Sequence, residues 1–274
     1  MRKVIGLGIN NRNIVKNIVL LICFSLLILT VSFNPAGVSV YKVKKVVIDA
    51  GHGGKDPGTS GRISKEKDVA LAIALKLGKL IEDNIAGVEV IYTRTGDTFP
   101  GLVDRADIAN KNGADLFISI HCNAVGNHSV EGTETWVMGL NRSKDNLEVA
   151  KRENAVILLE EDYEEKYEGF DPKSPESHIL FSLVQNAYLG NSLKLAQNIQ
   201  DQFEKRVGRH NRGVKQEGFV VLHKSSMPAV LVEVGFLSNP KEEKYLNDNL
   251  GQTYIASGIF RAFRDYKEEI ESMN

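Results

Sequence analysis

The sequence predicts a single α/β domain: a mostly parallel, twisted sheet with helices on both faces, plus a helical insertion. Short apolar runs rich in β-branched residues alternate with stretches of helical spacing. Such alternation requires crossover connections, which place helices over both faces of a sheet. One segment, residues 140–190, breaks the alternation and is acidic around Glu160, Glu161, Asp162, Glu164 and Glu165, so it reads as an insertion.

The elements follow in order. Residues 45–50 form an apolar strand. Residues 67–83 carry Val69, Leu71, Ala72, Leu75, Leu77 and Leu80 at helical spacing, with Ser64 placed as a cap. Residues 88–93 are a second strand, and residues 102–112 a helix stopped by Gly113. Strands follow at 114–121 and 133–138. A helix over 192–207 shows Leu195, Ile199, Phe203 and Val207 near one face. The short runs 219–222 and 229–233 read as strands, and 253–267 closes the chain as a helix.

Hydrophobic residues are 42% and charged residues 25%, which marks a folded globular chain. The formal net charge of −1 gives no basic footprint for nucleic acid. Arg2, Lys3, Arg12 and Lys16 precede the uncharged run IVLLICFSLLILTVSF at 18–33, and Pro35, Ala36 and Gly37 follow it. Residues 1–37 therefore read as a signal peptide or an uncleaved amino-terminal anchor. An exported protein in the periplasm or cell envelope is expected, touching the membrane only through this segment if it is retained. Beyond it the only cysteine is Cys122, so no internal disulfide is available.

Ligands of open α/β sheets gather beyond the carboxyl ends of the strands. His52 follows VVIDAG, His121 ends LFISI, and Glu233 ends AVLV, while Glu66 lies where the first long helix begins. Imidazoles and carboxylates converging on one crevice suit zinc, with an open position for water and a nearby acid as base. Each residue also has a plainer reading. The glycines around His52 can simply make a turn, Glu66 can serve the helix dipole, and Glu233 can pair with a lysine.

The ordered set DAGHGG, GTSGRISKEKD, YTRTGD, LVDRADIAN, DLFISIHCNA and PAVLVEVGFLSN closely resembles the zinc-dependent N-acetylmuramoyl-L-alanine amidases of amidase type 3. The likeness runs from Val46 to the final helix and implies a catalytic domain over 44–270. It implies His52, Glu66 and His121 as ligands of one Zn2+, and Glu233 as the catalytic carboxylate. The implied substrate is peptidoglycan, cut at the amide between N-acetylmuramic acid and L-alanine. A zinc carboxypeptidase or related amidohydrolase, and an inactive peptidoglycan-binding regulator, are the alternatives.

Five further expectations concern single features. Asp49 either orients the His52 ring or satisfies loop amides. Cys122, adjacent to His121 on a strand, faces the opposite side and is a core residue. Arg105 forms a structural ion pair with Asp104 or Asp107, and Arg212 to Lys215 either meet stem-peptide carboxylates or form a solvated loop. Residues 146–165 are expected to be helical, with Leu147, Ala150, Ile157 and Leu158 on one side. In some members of the family a helix at this point covers the site, a glutamate reaches the metal, and an activator protein moves it. The plainer reading is an acidic helix that shapes the substrate groove.

Overall fold

In the computed structural model, which describes Lys16 and residues 42–140, 143–182 and 187–272, the first strand runs where its apolar pattern places it. The expected signal or anchor, residues 1–37, lies outside the described residues apart from Lys16. The fold is that of the unit Tyr41–Met273. Among the described residues no helix is long and apolar enough to cross a membrane.

The strands are β1 (Lys45–Ala50), β2 (Glu89–Tyr92), β3 (Leu116–Asn123), β4 (Thr133–Met138), β5 (Asn211–Glu217) and β6 (Ala229–Phe236). They form one six-stranded sheet in the order β2-β1-β3-β6-β4-β5. All pairings are parallel except β4 with β6, which is antiparallel. The helices are α1 (Glu66–Asn84), α2 (Leu102–Lys111), α3 (Lys144–Asn154), α4 (Tyr163–Lys166), α5 (Pro175–Ser182), α6 (Leu189–Gln202), α7 (Val220–His223), α8 (Pro240–Asn247) and α9 (Asn249–Ser272).

Alternating side chains of each strand serve two cores. Val46, Ile48, Ala50, Ile118, Ile120, Cys122 and Val232 face α1, α6 and α9. Val47, Phe117, Trp136 and Leu231 face the other way, toward Leu102 and Ala109 of α2 and Phe219 to Leu222. The insertion completes this second core with Val149, Ala150, Val156, Ile157 and Tyr167. Glu160 ties it down by accepting hydrogen bonds from the Leu102 amide, Lys166 and Tyr167.

Several expectations need correction. Ser64 does not cap α1: the cap position is Lys65, and the Ser64 hydroxyl donates to Glu243 instead. On α1 the buried face includes Ile73, Ala74 and Ile81, whereas Leu75 is exposed. Residues 219–222 are not a strand but the short buried helix α7, because a four-residue apolar run fits either state. Residues 212–215 are neither loop nor turn but the middle of β5, a polar edge strand. The helix expected over 146–165 ends at Asn154, continues as a 3-10 turn over Ala155–Leu159, and resumes at α4. Helix α8 has no counterpart in the sequence reading, although Asn239 caps it through Lys241 and Glu242 and Pro240 opens it.

A buried ion pair fastens the sheet to α2. Arg105 donates to Asp49 Oδ1 at 2.7 Å rather than to Asp104 or Asp107. Burial by itself would raise the Asp49 carboxyl, but Arg105 and the hydroxyls of Ser119 and Thr93 hold it below its ordinary value. Arg105→Met strands that carboxylate and is expected to lower the unfolding free energy by about 3–5 kcal/mol at pH 7 in urea titrations. The Asp49 contribution is present above the ordinary carboxyl pKa and is lost as pH falls through the depressed folded value. The gap between variant and parent should therefore narrow in acid.

Candidate metal centre and active site

Where β1 ends, the chain turns sharply through Gly51, His52 and Gly53. His52 has φ of 60°, a left-handed conformation unusual for a residue with a side chain. Two buried guanidinium groups hold it there. Arg94 donates to the carbonyls of Ala50 and Gly51, at 2.8 and 2.7 Å. Arg105 donates to those of Ala50 and His52, both at 2.8 Å. Gly51 is required by close approach, since a Cβ there would lie 2.4 Å from His121 Nε2.

His121 and Glu233 sit side by side on β3 and β6, paired in register. Glu66 opens α1 fully buried, with Oε1 accepting from the Cys122 amide and Oε2 from the Thr59 amide, both at 2.8 Å. Glu66 Oε1 lies 3.1 Å from both His52 Nε2 and His121 Nδ1. A fourth group comes from the insertion: Glu153 Oε2 is 3.3 Å from His52 Nε2 and 3.0 Å from His121 Nδ1. The four ligand atoms of His52, Glu66, His121 and Glu153 all lie within 4.8 Å of one another, and all four residues are buried. His52 Nε2 and Glu153 Oε2 face this point without a hydrogen bond of proper geometry, and both oxygens of nearby Glu233 are buried without one too. Convergent donors left unsatisfied inside a protein suit a cation.

The electrostatics agree. Burial would depress the His52 imidazole, yet Glu66, Asp56 and Glu153 carry it well above its ordinary value. His121 is likewise raised, to about 9, with Glu153 and Glu66 overcoming burial. Glu66 falls to about 2 against its own burial, mainly through His52. Glu233 moves the opposite way, well up, because it is buried beside Glu153 and Glu66. Two imidazolium protons thus balance two carboxylates, and a divalent ion can take their place without changing the local charge.

Comparison with known proteins identifies the family. Residues 46–265 match the family described as N-acetylmuramoyl-L-alanine amidase. The chain belongs to that family. The N-acetylmuramoyl-L-alanine amidase AmiA of Escherichia coli K12 is 36% identical over 224 residues, 81% of this chain and 75% of AmiA. The crystal structure of an N-acetylmuramoyl-L-alanine amidase from Clostridium difficile 630 superposes with TM-score 0.62 at 31% identity, covering 83% of this chain and 98% of that one. The CwlD amidase of Clostridioides difficile, solved in complex with the GerS lipoprotein, gives TM-score 0.60 at 28% identity, covering 82% and 99%. The enzyme is a hydrolase whose substrate is peptidoglycan.

Two parts of the amidase site lie outside the sequence reading. Asp56, not Asp49, orients the His52 ring, with 2.6 Å between Oδ2 and Nδ1. Asp49 serves neither of its expected roles: it is spent on Arg105, Ser119 and Thr93. An acid four residues beyond His52, inside the same glycine-rich loop, was the available signal. The other part is the consecutive trio at the end of α3. Arg152 donates to Ala124 O and Asn123 Oδ1, and its Nη2 lies 3.8 Å from Glu233 Oε1. Glu153 enters the cluster, and Asn154 bonds both Gly218 O and the Val220 amide. Cys122 lies buried on the opposite face from His121, as expected. A separate cavity of about 340 Å³, lined by Val103, Tyr167, Phe170, Phe181 and His223 among others, contains none of these groups.

Raised imidazoles make metal uptake a proton-coupled event. At neutral pH about two protons should leave the amidase for each divalent ion bound. Because those protons are held until pH passes the raised values, apparent affinity should climb with pH through about 9, where His121 becomes neutral, and go on climbing until His52 does. Calorimetric titration in buffers of different ionisation enthalpy measures both.

Proposed function

We propose that the chain is an exported, zinc-dependent peptidoglycan amidase whose site is closed by its own insertion. His52, Glu66 and His121 would hold the ion. The observation that carries this reading is the meeting of their donor atoms at one buried point, near a buried carboxylate that makes no hydrogen bond. Zinc, when bound, supplies a Lewis acid that polarises the scissile carbonyl and brings the pKa of water toward about 7. Glu233, next to His121, takes a proton from the attacking water and returns one to the departing alanine nitrogen. Asp56 holds His52 Nδ1, which leaves Nε2 free to serve as the ligand atom.

The insertion supplies the restraint. Glu153 occupies the space a substrate carbonyl and water need, and Arg152 stands beside Glu233. Withdrawing Glu153 also removes one of the two charges that keep Glu233 protonated. A protein activator acting on residues 140–190 would produce that withdrawal. Leu140, Leu159, Ile179 and Leu180 give this segment exposed apolar side chains for such a partner. Export would follow from residues 1–37, and fractionation of cells producing the full chain tests it.

Glu233→Gln should retain one zinc per chain by elemental analysis and lose at least about 100-fold in peptidoglycan solubilisation, the usual size of a general-base effect. His52→Ala should lose metal and activity together, and a chelator should abolish activity that zinc then restores. Full activity in zinc-replete Glu233→Gln would remove that residue from its role. Glu153→Ala should raise the unassisted rate about tenfold or more, with muramic-acid ends and free L-alanine amino termini as products. An unchanged rate in a folded variant would reject closure by the insertion.

A further inference from the structure

Next to the candidate base, the sheet carries a second polar cluster that the hydrolytic reading does not use. Glu134 on β4 lies directly opposite Glu233 in the antiparallel pair. Its Oε1 accepts from Arg212 Nε at 2.8 Å and from Lys215 Nζ at 2.6 Å, both on the edge strand β5. Its Oε2 accepts from Asn123 Nδ2 at 3.2 Å. Asn123 in turn meets Arg152, which stands beside Glu233. The cluster is therefore continuous with the active site.

A single cation would neutralise Glu134. Two converge on it, so the cluster keeps one positive charge in excess. The cations are also held in place: the Arg212 guanidinium lies 5.2 Å from the centre of the Phe236 ring, and Lys215 Nζ lies 5.0 Å from that of Trp136. Glu134 is 3% exposed, whereas the Arg212 and Lys215 side chains are 32% and 24% exposed. The carboxylate is thus sealed below while its partners reach the surface. Among the described residues, the two terminal nitrogens of Arg212 have no hydrogen-bonding partner. An outward guanidinium fork with idle donors, backed by an ammonium, matches a carboxylate in shape and charge.

Resting on the amidase reading above, we propose that Arg212 and Lys215 form a subsite for a free carboxylate of the stem peptide. Strand β5 is two strands from β6, so the subsite lies about 10 Å from Glu233. An extended peptide advances about 3.3–3.6 Å per residue. The recognised carboxylate therefore belongs to the second or third residue after the scissile bond. The pair sets which stem peptides are bound and leaves the bond-breaking step to the zinc site.

The test uses four synthetic muramoyl peptides, with a carboxylate or a carboxamide at the second residue and, separately, at the third. The full chain carrying zinc and Glu153→Ala is assayed at low and high salt. At one of the two positions the carboxylate form should be favoured about tenfold in kcat/KM, through KM, with the preference shrinking as salt rises. In Arg212→Gln/Lys215→Gln that ratio should fall to about one. Adding Glu134→Gln to the pair keeps the cluster neutral and should give the same ratio. Equal cleavage of carboxylate and carboxamide forms at both positions would overturn the subsite, as would a preference that survives both variants. If neither variant folds, the ratio in the parent and its salt dependence decide the matter. Failure to cleave any of the four peptides would instead reject the amidase reading itself.

Discussion

Carboxylates out of water are tolerable only beside a matching positive charge, and this constraint organises the catalytic edge of the sheet. Asp49 is answered by Arg105, Glu134 by Arg212 and Lys215, and Glu66 with Glu153 by two imidazoles. Glu233 has no counter-charge within hydrogen-bonding distance, and its proton is held correspondingly tightly. A group in that state suits proton transfer once its surroundings change. Two buried arginines are spent on structure. Arg94 and Arg105 hold three successive carbonyls and so impose the backbone bend that turns His52 toward its partners.

The insertion is joined to this edge as well as laid over it. Its apolar residues complete the core beneath β4 and β6, while its polar residues reach the reacting groups. A segment that is part of the packing cannot drift freely, so its position is set by the same contacts that stabilise the domain. The proposed closure would then be a property of the folded state, and opening would exchange these contacts for those of a partner.

Much of this was legible before any coordinates. The alternation of strands and helices gave the layer order, and the polar residues ending β1, β3 and β6 marked the edge where chemistry gathers. The resemblance to the amidase family, not strand position alone, implied His52, Glu66 and His121 as ligands and Glu233 as the base. What escaped has physical reasons. Strand β5, NRGVKQE, has no apolar alternation because it is an edge strand serving polar contacts. The run VVLH is too short to show a period. Glu153 could not be told from its many acidic neighbours, because only the fold decides which glutamate of 140–190 faces inward. Asp56 escaped because Asp49, nearer the strand, was the one acid weighed for the ring, alongside a role in binding loop amides.

Arg152, Glu153 and Asn154 are consecutive residues on a single helical turn, and each grips a different neighbour: the loop after β3, the imidazole pair, and the bend after β5. Adjacent teeth on one short rod cannot be drawn one at a time. Loosening any of them strains the other two until all let go together. Under the closure proposed above, the lid would behave as a latch with a threshold, indifferent to weak tugs and released whole by a firm one.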